Sequence, residues 1–201
     1  AIFGLDPLIH GEIYVEGKKL LPNDPKSAIA AKIGYITEDR KDSGLFMELS
    51  IRDNMGIASL SKFKRGLSID RVAQETAIVK LLEELNVKYA SLDQKVKELS
   101  GGNQQKIALG KWLMASLDIL LLDEPTRGVD VGAKEEIYKI IDSLSERGKA
   151  ILMVSSEMEE VLRLSDRTLV MNHGRIVSEY VKKEITVERI LWDSSKFISE
   201  V

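Results

Sequence analysis

Two short runs, "ILLL" at 119–122 and "AILMV" at 150–154, are apolar throughout, and between them Ile137, Ile140, Ile141 and Leu144 recur at helical spacing. A strand with no polar face has no side to give to water, so strands of this kind belong in a parallel sheet covered on both faces by helices. Gly148 stands where that intervening helix must stop. The same order extends upstream, where "KIGYIT" (32–37) reads as a strand and Leu109, Trp112 and Leu113 have helical spacing just before "DILLLDEP" (118–125). The predicted architecture is α/β. A helical block from about 45 to 115 interrupts it, marked by Ile78, Leu81, Leu82 and Leu85 and started near 68–71 by Ser68 or Asp70. A small antiparallel part is expected from "GEIYVEGKKL" (11–20) and from two strands around Asn172-His173-Gly174 (167–181). Met158, Val161 and Leu162 mark a short helix, and Val187, Ile190 and Leu191 mark one that packs on the body. The methionines fit core positions.

A chain of 201 residues supports one well-buried domain with a subdomain. With a net charge of −3 and acids interleaved among the Lys and Arg, there is no basic stripe for a nucleic-acid backbone. The absence of Cys removes disulfides and thiolate metal sites, which fits a cytoplasmic setting. His10 and His173 fall in predicted turns with no second ligand at metal spacing. No apolar run approaches the roughly 20 residues needed to cross a bilayer, so a membrane role passes through a partner. The sequence opens at Ala1 without a leader and reads as a piece of something larger.

Two stretches carry chemistry. Asp123 and Glu124 close the apolar run at 119–122, at the end of a strand where doubly wound sheets bind ligands. One carboxylate is placed to hold Mg²⁺ and the other to orient or deprotonate a water, the Walker B arrangement of nucleotide hydrolases. The same pair serves equally as a cap for the next turn followed by a solvated loop acid. In "LSGGNQQ" (99–105), Ser100 offers a hydroxyl, and Gly101 and Gly102 let backbone amides approach an anion at a helix start. Those residues also make an ordinary N-cap with a Gly-Gly entry.

Their order is more specific than either stretch. "YITEDRKDSGL" (35–45), "LSGGNQQKIALGKWL" (99–113) and "LLLDEPTRGVDVGAKEEIY" (121–138) resemble the ABC ATPase family, in particular the second nucleotide-binding half of the fused ATPase subunit of monosaccharide importers. The resemblance runs from "FGLDPLIHGEI" to "HGRIV". It implies a P-loop NTPase-like fold in a single domain over 1–201, with residues 1–44 and 116–201 as the core part and 45–115 as the helical signature subdomain. It implies that Ser100, Gly101, Gly102 and Asn103 form the signature loop, which faces the γ-phosphate of a nucleotide held by a partner half. Asp123 then becomes the Mg²⁺-side aspartate, Glu124 the catalytic glutamate and Asp130 the D-loop aspartate. ATP and Mg²⁺ are the implied cofactors. The implied partners are the first half of the same subunit and the transmembrane permease subunits on the inner face of the plasma membrane.

Several positions depart from the family pattern. Asn103 replaces the usual signature Gln, Glu38 stands at the Q-loop glutamine position, and Ser156 stands at the switch histidine position. A carboxylate at 38 cannot donate to a phosphate and a serine at 156 carries no cation, so this half's own site is expected to turn over poorly. No G-x-x-x-x-G-K-[ST] occurs: the Gly-Lys pairs at 17–18, 110–111 and 148–149 follow Glu12, Gln105 and Ser143 five residues earlier. The Walker A loop, with its strand and helix, is therefore expected to be missing, and the isolated piece to be inactive and open to self-association. "EDRKDSG" (38–44) reads either as the loop that meets the permease or as a solvated charge run. Two other readings compete. One is a degenerate half that lends a signature and a docking surface without chemistry. The other, a DNA-maintenance ATPase, requires long coiled-coil heptads that the interval 39–98 is too short to hold.

Overall fold

The computed structural model of the chain describes residues 1–195. It opens with a tight hairpin, β1 (Tyr14–Val15) against β2 (Lys18–Lys19), turned by Glu16 and Gly17 at φ of 48° and 75°. Positive φ at both central residues matches the twist of a hairpin. Helix α1 (Pro25–Ala30) starts at Asp24, whose carboxylate accepts the Lys26 amide, and leads into β3 (Ile33–Ile36). At six residues α1 is too short to leave a periodic signal in the sequence.

The helical block contains α2 (Ile51–Gly56), the small hairpin β4 (Lys64–Arg65) with β5 (Ser68–Ile69), then α3 (Arg71–Glu84) and α4 (Gly101–Met114). Of the two expected caps for α3, Asp70 does the work, accepting the Ala73 amide at 3.0 Å, while Ser68 lies in β5. Ile51, Met55, Ile78, Leu82, Ile107 and Met114 meet in one apolar cluster of this block. Asn54, fully buried beside it, donates to the carbonyls of Phe46 and Ser50 and accepts from the Phe46 amide. That exchange satisfies a side chain that would otherwise be costly to bury.

Next come β6 (Ile119–Asp123), α5 (Val131–Glu146) and β7 (Ala150–Val154). The sheet order is β3-β6-β7, all parallel, with Ile36 beside Leu122 and Asp123 beside Val154. At its amino end Asp118 accepts Lys32 and Lys149 at 2.8 and 3.0 Å, which leaves the carboxyl end for chemistry. Gly148, at φ 78°, follows α5 as expected. The sequence predicted both faces of β7 to be covered. Instead Leu152 and Val154 are 46% and 57% exposed beside a cavity of about 280 Å³ also lined by Ile2, Leu5, Tyr35 and Asp123. Within the first unit those two side chains are left partly open to the cavity.

The chain divides into two compact units, Ala1–Val154 and a second that begins at Ser155. The second holds α6 (Met158–Leu164), the antiparallel pair β8 (Arg167–Asn172) and β9 (Arg175–Val181), and α7 (Val187–Ser195). His173 and Gly174, at φ 46° and 76°, make the predicted turn. Ile190 packs with Val161 and Val170, whereas Leu191 lies outside on α7. Met55 and Met114 occupy core positions, but Met171 is exposed on β8, where side chains alternate between faces. Residues 196–201 of the predicted core part lie outside the described residues.

Candidate functional site

The carboxyl end of the central strand carries the acidic pair. Asp123 is the last residue of β6, half-buried, and its Oδ2 accepts the Tyr35 hydroxyl at 3.0 Å. Tyr35 comes from the adjacent strand β3, and its ring packs 5.6 Å from that of Phe3, which in turn meets Trp112 edge-on. Burial, then the bond to Asp123, pushes the Tyr35 hydroxyl up to about 12, so it remains a donor across the neutral range. Glu124 follows at φ 48°, a left-handed conformation that costs a non-glycine residue energy and gathers at functional turns. Its amide still donates to the Val154 carbonyl at 2.9 Å, and its carbonyl accepts the Arg127 amide at 3.1 Å. The chain therefore turns sharply after Asp123 while staying tied to the sheet.

Ser100 caps α4. Its Oγ accepts the Asn103 amide at 3.4 Å and the Asn103 Nδ2 at 3.1 Å, while Asn103 Oδ1 accepts the Lys88 amide. Asn103 thus has a structural task at a position where the family resemblance leads one to expect Gln. The two glycines have packing reasons of their own. A Cβ on Gly102 would stand 2.4 Å from Cβ of Ala133 on α5, and one on Gly101 would stand 3.0 Å from Arg40 Nη2 and 3.3 Å from the Gly128 carbonyl. Asp130 caps α5 by accepting the Ala133 amide at 3.0 Å. The segment at 100–102 and the segment at 128–133 therefore lie side by side.

Glu38 pairs with Arg127, and Arg40 donates to the Arg127 carbonyl at 3.0 Å and the Gly128 carbonyl at 3.4 Å. Burial lowers the pKa of the Arg40 guanidinium, with Asp39 opposing, though an arginine stays charged. Residues 40–44 form one π-helical turn, capped by Asp39 and closed by Lys111, whose Nζ donates to the Gly44 carbonyl at 2.6 Å. Such turns recur at functional places. Desolvation lowers the Lys111 pKa, and its charge also lies 5.2 Å from the centre of the Trp112 ring. Lys106, almost fully buried, donates to the Asn86 carbonyl at 2.7 Å and to Glu136. Sequence reasoning missed Arg40, Lys106 and Lys111, because a basic residue on a helix or in a charged loop normally reads as solvated. Ser156 stands near the start of the second unit, just after the Ser155 hydroxyl that accepts the Glu157 amide.

The donor set suits a hard cation only in company. Asp123 supplies a carboxylate, yet among the described residues no group of three or more acidic, His or Cys side chains could hold a metal ion. Mg²⁺ is commonly bound by one or two carboxylates together with phosphate oxygens, so the site fits a metal that arrives with a nucleotide. No helix among the described residues is long and apolar enough to cross a membrane.

Comparison with known proteins agrees with this geometry. A family model described as ABC transporter matches residues 1–127. The chain is 47% identical over 191 residues to the ribose import ATP-binding protein RbsA of Bacillus subtilis and 49% identical over 192 residues to that of Lactococcus lactis subsp. cremoris. Each match covers 95% of this chain and 39% of the relative, so the chain spans about two fifths of their length. Among solved structures, a nucleotide-free ATP-binding cassette from an ABC transporter aligns with TM-score 0.76 and 24% identity, covering 96% of this chain and 77% of the other. A dimeric cassette in a post-hydrolysis state, bound to ADP and Pi, aligns with TM-score 0.75 and 22% identity, covering 91% and 78%. At these identities the structures speak to the fold alone. The match over residues 1–127, with Asp123 and Glu124 at the end of the central strand, places this chain in the ABC transporter family as an ATP-binding domain.

Proposed function

We propose that this chain is the second ATP-binding half of the fused ATPase subunit of a ribose-type monosaccharide importer. In this reading residues 1–44 and 116–201 are the core part and 45–115 the signature subdomain of one domain. It works against the first half of the same subunit and docks on permease subunits at the inner face of the plasma membrane. The observation that carries the reading is the side-by-side placement of Ser100–Gly102, Gly128 and Asp130, in a chain 47% identical to a ribose import ATP-binding protein.

The roles follow from the chemistry of these side chains. Tyr35 holds one oxygen of Asp123, which leaves the other to meet a cation. Mg²⁺ bound with ATP would supply Lewis-acid charge at the phosphates. Glu124 would accept a proton from, or orient, an attacking water. Ser100 and the amides that follow it would donate to the γ-phosphate of the partner half's nucleotide, helped by the partial positive charge at the start of α4. Glu38 is engaged by Arg127 and is no phosphate donor, and Ser156 brings no cation, so this half's own site turns over slowly. A half without any chemistry is the competing reading, and the retention of Glu124 on its strained turn favours the first.

Ser100→Arg tests the assignment in the intact subunit with its permease. A bulky cation at the cap intrudes where the γ-phosphate approaches, and transport-linked ATP hydrolysis falls at least about tenfold, the scale of losing one donor to a developing charge. Turnover equal to wild type refutes the signature assignment.

A further inference from the structure

Three segments that are far apart in sequence meet at one side chain. From the turn at 40–44, Arg40 donates through Nη1 to the Arg127 carbonyl at 3.0 Å, through Nη2 to the Gly128 carbonyl at 3.4 Å, and through Nε to Gln104 Oε1 at 3.5 Å. Gln104 is itself buried on α4, and its amide donates to the carbonyls of Leu99 and Val96 at 3.0 and 3.3 Å, fixing the residues that enter the Ser100 cap. The chain Arg40–Gln104–Leu99 therefore reaches Ser100 from one side, and Arg40–Gly128 reaches the segment before Asp130 from the other. Gly101 is the residue that leaves room for the guanidinium.

The turn that carries Arg40 is firm. Asp39 accepts the amides of Lys41 and Asp42 at 2.9 and 3.2 Å, and the Ser43 hydroxyl joins Thr37 Oγ1 and the Asp39 carbonyl. Lys111 holds its far end to α4 through Gly44, and Glu38 holds its near end to Arg127. Its tip, Lys41 to Ser43, is exposed. A stiff, exposed turn rooted in two loops behaves as a lever.

We infer that Arg40 is a positioning residue that locks the 38–44 turn, the start of α4 and the 127–130 loop into one body, so that displacement of the exposed turn moves Ser100 and Asp130 together. The functional weight of this inference rests on the reading of Ser100–Gly102 as facing a nucleotide; the mechanical linkage does not. The planar guanidinium is needed because its five donors diverge in one plane, whereas a lysine concentrates three at a single point.

The test is hydrogen exchange, read by mass spectrometry, on the intact subunit carrying Arg40→Lys or Arg40→Gln, without nucleotide. Loss of the fork raises exchange at 99–104 and at 127–130 together by about tenfold, the scale of one lost hydrogen bond, while β6 and the middle of α5 are unchanged. A role confined to the turn loosens 37–44 alone, and that result overturns the inference, as does Arg40→Lys behaving as wild type. Should Arg40→Gln unfold, β6 exchange shows it and Arg40→Lys carries the test. A parallel arm adds Mg-ATP to the wild-type subunit. Failure of nucleotide to slow exchange at 100–103 counts against the signature reading and leaves the linkage to be judged on its own.

Discussion

Gly102 offers the sharpest separation between a glycine kept for packing and one kept for a ligand. A Cβ there would lie 2.4 Å from Cβ of Ala133, with Val129 Cγ1 next at 3.7 Å. Carbon atoms rest at about 3.5–4.0 Å, so Gly102→Ala forces the start of α4 and the first turn of α5 apart by over an ångström. Overpacking of that size costs about 1–3 kcal/mol, against which alanine's better helix propensity returns up to about 1 kcal/mol, and less in a first turn. The net expectation is destabilisation of about 1–2 kcal/mol. Ala133→Gly alone loses about 1 kcal/mol of propensity on α5. In the double variant the new methyl takes the place of the old one and Val129 is in ordinary contact, so the two helix terms nearly cancel. The single costs then sum to about 2–3 kcal/mol while the double costs under about 1, a coupling near 2 kcal/mol. Urea unfolding followed by tryptophan fluorescence measures all four corners of the cycle, with Trp112 on α4 as a reporter. Additive costs within about 0.5 kcal/mol would refute the packing argument. A double variant that regains stability but not ATP turnover in the intact subunit would show that Gly102 has a second task, keeping the approach to its amide free.

Burial and the bond to Asp123 push the Tyr35 hydroxyl up to about 12, and absorbance titration of Tyr35→Phe should lose one tyrosine's share of the change near pH 12. Its folded pKa lies above the unfolded value, so the protonated group stabilises the fold up to about pH 10 and that contribution is lost as pH rises towards 12. After discounting for partial exposure, wild type should lose about 1–2 kcal/mol relative to Tyr35→Phe across that window, read by urea unfolding. Asn54→Ala leaves the Phe46 amide without its partner, while the Phe46 and Ser50 carbonyls keep the backbone amides of Leu49 and residue 54, and should cost about 1–3 kcal/mol in the same assay; a cost under about 0.5 kcal/mol would mean that water replaces the side chain. Under the proposed function, Ser156→His in the intact subunit places a cation-capable group at the proposed switch position and should raise hydrolysis at this chain's own site, with an unchanged rate counting against that assignment.

The sequence made the sheet legible because its strands are short and wholly apolar, and because α5 shows its face in Ile137, Ile140, Ile141 and Leu144. Ile140 is the member of that face left half-exposed, since it borders an open groove rather than the sheet. The hairpin turns were legible for the same local reason, a glycine where φ must be positive. What stayed hidden depends on atoms distant in sequence. Lys106, Lys111 and Arg40 stand in stretches of ordinary polarity, and only the fold brings backbone carbonyls of Asn86, Gly44 and Arg127 to their heads. The open side of β7 was hidden differently: "AILMV" states that both faces want cover, yet Leu152 and Val154 are exposed and Ile151 and Met153 only half-buried.

These cations, Lys106 buried and Arg40 and Lys111 half-buried, share a consequence for how the site works. Each ties α4, the helix whose start carries Ser100, to a different neighbour: Lys106 to Asn86 just after α3 and to α5, Lys111 to the 40–44 turn, and Arg40, through Gln104, to the 127–128 loop. A charge removed from water must keep its partners or become costly, so these links do not slip by small amounts. Helix α4 therefore cannot shift by itself. Any movement that brings Ser100 toward or away from an anion has to carry the 40–44 turn and the start of α5 with it, and Asp130, as the cap of α5, travels in the same step.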